Sequence, residues 1–257
     1  MKDIAREHMK SDFRVVDLAQ DLHNKTAKNV RHLAIDCPFH ERLSALSKVL
    51  NFYGGTGRII VFTSTKNDAN SLLLSGEINH DVEAMHGDIA QNQREVTMKR
   101  FKEGKFQVLV ATDVASRGLD IPDVELVIQL DPPKDTESYI HRSGRTARAG
   151  KHGTCITFYN RKSIEFVDRI EALAGIKLQR VPVPTEDDML KAKTKDILKK
   201  LKDVDNDVLP LFDDTADILI NDCKGDAKKA LQIALAYGSG HYKQVLPTKS
   251  LLTGRDG

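Results

Sequence analysis

The densest run of chemistry in this sequence is His141-Arg142-Ser143-Gly144-Arg145-Thr146-Ala147-Arg148. Read as a helix, the spacing of Arg145 and Arg148 puts both guanidinium groups on one face. Two neighbouring cations with no acid between them repel unless an anion sits opposite. A planar fork fits phosphate oxygens, and a pair of forks fits a phosphoryl group that is gaining charge. The alternative is a solvated basic helix end, which the helix dipole favours. A second run, Val110 to Asp120, brings two hydroxyls (Thr112, Ser116), two carboxylates (Asp113, Asp120), Arg117 and the backbone-exposing Gly118. Such groups contact sugar and phosphate; the alternative is an ordinary strand-to-loop turn capped by Asp113. A third cluster is His86-Gly87-Asp88 with Gln91 and Arg94. Asp88 reads as a helix cap, and Gln91 and Arg94 open the helix, where anions are favoured. A plain capped helix explains that cluster as well. Phe62-Thr63-Ser64-Thr65 adds three hydroxyls at a strand end.

Gly54-Gly55-Thr56-Gly57-Arg58 invites a phosphate-loop reading and fails it. A phosphate loop follows a strand and ends in Gly-Lys-Ser/Thr, whereas this stretch precedes a strand and continues Arg58-Ile59. It reads as a glycine turn. The sequence has neither a phosphate-loop lysine nor an acidic run suited to holding magnesium, so any contact with ATP lacks the parts that grip the metal and the phosphates.

These clusters need a frame, and the hydropathy pattern supplies one. Expected strands are Arg31–Ile35, Arg58–Thr63, Val82–His86, Gln107–Thr112, Leu126–Leu130 and Thr154–Tyr159. Between them lie helical patterns at His40–Phe52, Asn67–Leu74, Gln91–Glu103, Thr136–Ala147 and Lys162–Ala174. Val108-Leu109-Val110-Ala111 is apolar on both faces, as a central parallel strand requires. The alternation predicts an α/β domain with a parallel sheet, whose ligands bind at the carboxyl ends of the strands. All the clusters are expected on that one rim, which predicts a polyanion site. Residues 1–24 read as a short helix and a strand without a partner nearby. After Val181-Pro182-Val183-Pro184 the strand signals stop. Residues 186–238 carry two helical stripes, one with Leu190, Ile197, Leu198 and Leu201, the other with Ala227, Ala230, Leu231, Ala234 and Leu235.

Composition bounds the rest. The 257 residues allow one or two domains, and the 40% apolar content is enough for a core. Lys and Arg number 39 against 37 Asp and Glu, so any basic site must be local. Cys37, Cys155 and Cys223 are far apart and form no CxxC pair, which argues against a zinc or disulfide framework and for a reducing compartment. The sequence shows neither a secretory h-region at its start nor a run long enough to span a bilayer, so a membrane is not an expected partner.

Taken together, the clusters resemble the DEAD-box RNA helicases. His141–Arg148 resembles motif VI, Val110–Asp120 motif V, Ile60–Thr65 motif IV, and His86–Arg94 the segment holding the QxxR element. Their order matches the second RecA-like domain over about residues 30–182. Asp131-Pro132-Pro133-Lys134-Asp135-Thr136-Glu137-Ser138-Tyr139-Ile140 before His141 is most similar to the Gu-type nucleolar helicases, as is the segment from Glu186 to about Leu252. The resemblance implies that Arg145 and Arg148 are arginine fingers for the γ-phosphate, and that Asp120 and Gly118 belong to the ATP site. It implies that Ser64, Thr65, Gly87, Gln91, Arg94 and Thr112 serve the RNA backbone, and that His141 and Arg142 couple the two sites. The cofactor implied is ATP with Mg2+, the metal being held by a first RecA-like domain of which only a tail is resembled here. Ala147 stands where many members have glycine; a methyl group in a helix is expected to be harmless.

The expected fold is therefore α/β, a parallel-sheet RecA-like helicase domain (residues 25–184) with an all-α C-terminal extension (residues 185–252), preceded by a tail of the first domain and linker (residues 1–24). The expected function is the C-terminal half of an ATP-dependent RNA helicase, with RNA and the first domain in cis as partners. The surplus apolar surface of residues 186–238 predicts a homodimer, against a monomer whose helices brace the sheet. The subgroup implies a nucleolar location, with an organelle or the cytoplasm as alternatives. Two rival functions are a non-catalytic RNA-binding or dimerising module, and a dinucleotide oxidoreductase. The lack of GxGxxG after a first strand argues against the latter.

Overall fold

Each of the six expected apolar runs becomes a strand, and all their pairings are parallel. The computed structural model describes residues 29–78, 80–113, 122–147 and 151–240, the side chain of Asp196 excepted. The tail at residues 1–24 and the site residues Gly118, Asp120 and Arg148 lie outside the described residues. The strands are β1 (Val30–Asp36), β2 (Ile59–Thr63), β3 (Val82–Met85), β4 (Val108–Thr112), β5 (Leu126–Gln129) and β6 (Gly153–Tyr159). A two-residue strand β7 (Gln179–Arg180), too short for a sequence signal, joins the edge of β1. The order is β3-β4-β2-β5-β6-β1-β7.

Among the described residues the α/β unit has five helices: α1 (Arg42–Tyr53), α2 (Lys66–Leu74), α3 (Gln91–Lys102), α4 (Thr136–Ser143) and α5 (Ile164–Ala174). Helices α1 and α2 cover one face of the sheet with Ala45, Leu46, Val49, Leu50, Ala69 and Leu72. Helices α3, α4 and α5 cover the other with Met98, Phe101, Tyr139, Val167 and Ile170. Every residue of β2, β4 and β5 is buried, which is why those strands read as unbroken apolar runs.

The chain divides into two units, Met1–Val183 and Pro184–Gly257. The second contains α6 (Glu186–Lys200), α7 (Asp213–Asp222) and α8 (Ala227–Gly238), with 3-10 turns at Leu201–Asp203 and Asn206–Phe212. Thr185 and Asp188 form a reciprocal capping box at the start of α6. Much of the unit's apolar surface is open: Leu211 is 79% exposed, Ile218 63% and Leu231 58%. No helix among the described residues is long and apolar enough to cross a membrane. The three thiols are free and buried, and burial pushes that of Cys155 up to about 11.

The sequence pattern runs α4 on to Ala147, but the helix ends at Ser143. The Thr146 hydroxyl donates to the carbonyls of Val124 and Glu125, and Val124 N donates to Arg145 O at 3.1 Å. These bonds pull the chain out of the helix and along the entry to β5. Ala147 then has φ +59° and is buried, so the expectation of a harmless helical alanine is overturned. A left-handed alanine costs about 1–2 kcal/mol, part of which glycine returns as unfolded-state entropy. Ala147→Gly is therefore expected to raise unfolding stability by about 0.5–1 kcal/mol, and Ala147→Val, β-branched at positive φ, to lower it by more than about 1 kcal/mol. Urea midpoints of the three proteins check the order.

Candidate nucleic-acid and nucleotide interface

The carboxyl rim of the sheet carries Thr112 at the end of β4, Ser64 and Thr65 after β2, and Gly87 after β3. Thr63 and Thr112 face each other in register on adjacent strands. Thr65 is committed to structure: its hydroxyl accepts from Asp68 N at 3.1 Å and donates to Asp68 Oδ2 at 2.7 Å, closing a capping box on α2. Ser64 is exposed, with one long bond of 3.5 Å to Asp131. Of the two hydroxyls expected to serve RNA here, Ser64 and Thr65, Ser64 is the exposed one without a structural commitment to a helix cap.

Asp88 was expected to cap α3 and does not. Its carboxylate pairs with Lys66 at 2.7 Å, and that ammonium hydrogen bond holds its pKa below the usual carboxylate range. The N-cap is Ala90, which has no side-chain bond to the helix. Ala90 thus offers the first N–H groups of α3 no side-chain acceptor, although Gln93 N donates to Asn92 Oδ1 at 2.8 Å. Arg94 opens the same helix half-buried, and its Nε is buried with no acceptor among the described residues. An unpaired buried guanidinium nitrogen is costly, and an anion at this end of α3 would offset that cost. Gln91 is exposed and donates to Glu95 at 3.0 Å, while Gly87 is exposed beside it.

Asp113 follows β4 directly. Its carboxylate accepts from Arg142 Nε at 2.7 Å and from Arg142 Nη2 at 2.5 Å. Arg142 Nη1 donates to the wholly buried Gln129 at 3.3 Å, and the guanidinium lies 5.3 Å from the centroid of the Phe62 ring. Gln129 donates in turn to Cys155 Sγ at 3.4 Å. The same sheet face holds a 2.7 Å bond between the Tyr139 hydroxyl and His32 Nδ1, and burial lowers the His32 pKa to about 4, keeping that ring neutral. Arg142 is therefore a buried tie rather than a ligand contact. Sequence reading missed its partner, since nothing in a 29-residue separation announces an ion pair.

His141 is exposed on α4, 4.0 Å from Glu137. Arg145 is half-exposed in the turn beyond, its Nε donating to His141 O at 3.2 Å. Its backbone bridges to Val124, which precedes the amino end of β5. The expected single rim is thus corrected. Ser64, Gly87, Gln91, Arg94 and Thr112 come together at the carboxyl ends of β2, β3 and β4, while Arg145 lies toward the opposite ends of the strands. Helix α4 runs between them. Arg145 lies beyond Ser143, the last residue of α4, so it is not on the helical face expected for it, while its expected companion Arg148 lies outside the described residues. The glycine stretch at 54–57 is a turn, as read: Gly54 caps α1 and Gly55 has φ +51°. Arg58 spends its guanidinium on the carbonyls of Lys102 and Asp123.

No cluster of three or more His, Cys, Asp or Glu side chains suited to a metal ion occurs among the described residues.

Comparison with known proteins agrees with this geometry. Residues 41–150 match the helicase conserved C-terminal domain, and residues 185–237 match the DDX21/DDX50 dimerisation domain. The chain is 47% identical to rat (Rattus norvegicus) nucleolar RNA helicase 2 over 239 residues, which are 93% of this chain and 30% of the relative. It is 44% identical to human ATP-dependent RNA helicase DDX50, covering 99% of this chain and 34% of that protein. It thus spans about a third of the length of these relatives. Among solved structures, the C-terminal domain of the DEAD-box protein Dbp5 superposes with a TM-score of 0.57 at 32% identity, covering 67% of this chain and 98% of that one. Saccharomyces cerevisiae Dbp5 bound to RNA and ADP BeF3 matches with a TM-score of 0.64 at 30% identity, over 75% of this chain and 51% of that one. With its parallel sheet, its ordered rim residues and its helical second unit, the chain belongs to the DEAD-box RNA helicase family, as a C-terminal RecA-like helicase domain of the Gu-type subgroup followed by that subgroup's dimerisation domain.

Proposed function

We propose that this chain is the RNA-gripping and finger-bearing half of an ATP-dependent RNA helicase that opens short RNA duplexes or remodels RNA–protein complexes. The observation that carries the reading is Arg94: a half-buried guanidinium with an unpaired Nε, beside an uncapped helix start, next to Ser64, Gly87 and Thr112 on one rim. Those groups suit phosphate and sugar oxygens and offer nothing that distinguishes bases, so recognition is indifferent to sequence. The similar Dbp5 structure is bound to RNA, which supports the choice of polyanion. Arg145 and Arg148, with Asp120 and Gly118, serve the nucleotide, whose phosphates and Mg2+ a first RecA-like domain of the longer protein would hold. ATP binding there brings that domain against this one. Arg145 and Arg148 then stabilise charge on the transferring phosphoryl group, and RNA held across both rims is bent. The isolated chain, lacking a phosphate-loop lysine, would bind RNA weakly and hydrolyse no ATP. The names of the nucleolar relatives support a nucleolar site of action.

The helical unit acts as a homodimerisation module. Leu211, Phe212, Ile218 and Leu231 lie open on a unit whose described residues include few buried side chains, and the family match over residues 185–237 carries that role in its description. A symmetric pair hides the same patch on both copies.

Two measurements test these readings. Titration of single-stranded RNA at several salt concentrations should give a log–log slope of about −0.7 for each phosphate neutralised. Arg94→Ala should weaken all sequences alike and make that slope shallower by nearly one contact; a loss confined to particular sequences would contradict a backbone role. Light scattering across the micromolar range should report twice the 28.7 kDa chain mass. Leu231→Glu with Leu235→Glu should halve it while leaving thermal unfolding of the α/β unit in place.

A further inference from the structure

The residues assigned to RNA above occupy only the β3–β4–β2 part of the carboxyl rim. The rim continues over β5, β6 and β1, and an unexplained aromatic stands there. Beyond β1 the chain runs Cys37-Pro38-Phe39. Cys37 N donates to Tyr159 O at 2.8 Å, and Glu41 N donates to Pro38 O at 3.0 Å. Phe39 therefore opens a short 3-10 turn tied to the end of β6. It is 70% exposed, and it is the one exposed Phe or Tyr among the described residues of the α/β unit. Such a ring on a fixed turn adds little to the core and keeps its apolar surface in water.

Its surroundings are organised. Phe39 is the wall between two depressions. One, of about 160 Å3, is lined by Ser64, Arg42, Leu43, Leu72, Leu130 and Asp131 among others. The second, of about 650 Å3, is bordered by Asp36, Pro38, Asn160, Arg161 and Lys162. The Arg42 guanidinium lies 5.4 Å from the Phe39 ring centroid. Arg42 is 6% exposed; its Nη1 is held by Asp131 at 2.5 Å, and its Nε and Nη2 are buried without an acceptor among the described residues. A hidden cation thus lies against an open ring. Arg161 and Lys162 are exposed, with Asp36 the only acid bordering their depression among the described residues.

We infer that the RNA track continues along this rim: a base of the single strand stacks on Phe39, and the phosphates beyond it lie against Arg161 and Lys162. The inference rests on the reading of Ser64 and its neighbours as backbone contacts, and Ser64 itself lines the first depression. From β2 to β1 the rim crosses three strand spacings, about 14 Å, a distance that a few further nucleotides cover. An aromatic platform flanked by basic side chains is how single strands are held without regard to sequence.

The test is equilibrium binding of end-labelled oligouridylates of about four and about ten nucleotides, lengths within the usual span of single-strand sites, to the full 257-residue chain. Phe39→Ala, a change at an exposed position, should cut affinity for the longer RNA about five- to hundredfold, the loss growing with length. Arg161→Ala with Lys162→Ala should weaken the longer RNA and flatten its salt dependence. RNA carrying 4-thiouridine should photocrosslink to Phe39 in the native chain. The inference is overturned if Phe39→Ala leaves the longer RNA unaffected, or weakens both lengths equally. If that happens while Arg94→Ala weakens both lengths, the β3–β4–β2 track stands and only its extension fails. If Arg94→Ala weakens neither, the track itself fails and the extension with it. Absence of the Phe39 crosslink at saturating RNA also overturns it.

Discussion

Two buried arginine–aspartate pairs hold the working edge of this sheet. Arg142, from α4 on one face, grips Asp113 just beyond β4 with two nitrogens. Arg42, from α1 on the other face, grips Asp131 just beyond β5 at 2.5 Å. Both guanidiniums are more than nine-tenths buried, while both carboxylates are about two-thirds buried. Fork-to-carboxylate bonds fix direction as well as distance. Losing one partner of such a pair costs about 3–5 kcal/mol, because the other charge is left buried and alone. Carboxyl-end loops of a parallel sheet are otherwise held only at their roots, and here each of two is pinned from a helix on its own side.

The Arg142 pin has a consequence for function. Asp113 is the residue next to Thr112, on the rim proposed for RNA, and Arg142 lies three positions before Arg145. Helix α4 connects the rim with the opposite ends of the strands, where the Thr146–Val124 bridge anchors the turn that carries Arg145. Asp113, just beyond β4, is thus joined to α4 through a stiff, bidentate link, with Gln129 closing the third side. The groups proposed for RNA and the proposed finger arginine thus lie at opposite ends of the strands, with the tie between them.

Much of this architecture was legible in the residues. Strands β2, β4 and β5 announced themselves because both their faces are buried, and helices α1, α3 and α5 because their apolar positions recur at the helical period. What escaped were features set by distant contacts. Helix α4 looked four residues longer than it is, since Arg145, Thr146 and Ala147 are tolerable in a helix; the stop comes from Val124, 22 residues earlier. Asp88 looked like a cap until Lys66 claimed it. Local propensity carries no record of either partner. Ser64, Gly87, Gln91, Arg94, Thr112 and Arg145 were singled out in the sequence, but their sorting into two ends of the sheet needed the course of α4.

The central claim is that the Arg142–Asp113 tie carries the RNA signal to Arg145. The direct measurement is ATP turnover, with and without RNA, by the longer protein that includes the first RecA-like domain, comparing the native sequence with Arg142→Lys. Lysine keeps the charge but cannot make the two-nitrogen grip. The account predicts that RNA and ATP still bind while RNA stimulation of turnover falls by at least about tenfold, equivalent to ~1.4 kcal/mol of barrier. RNA stimulation at the native level in the lysine variant would contradict it.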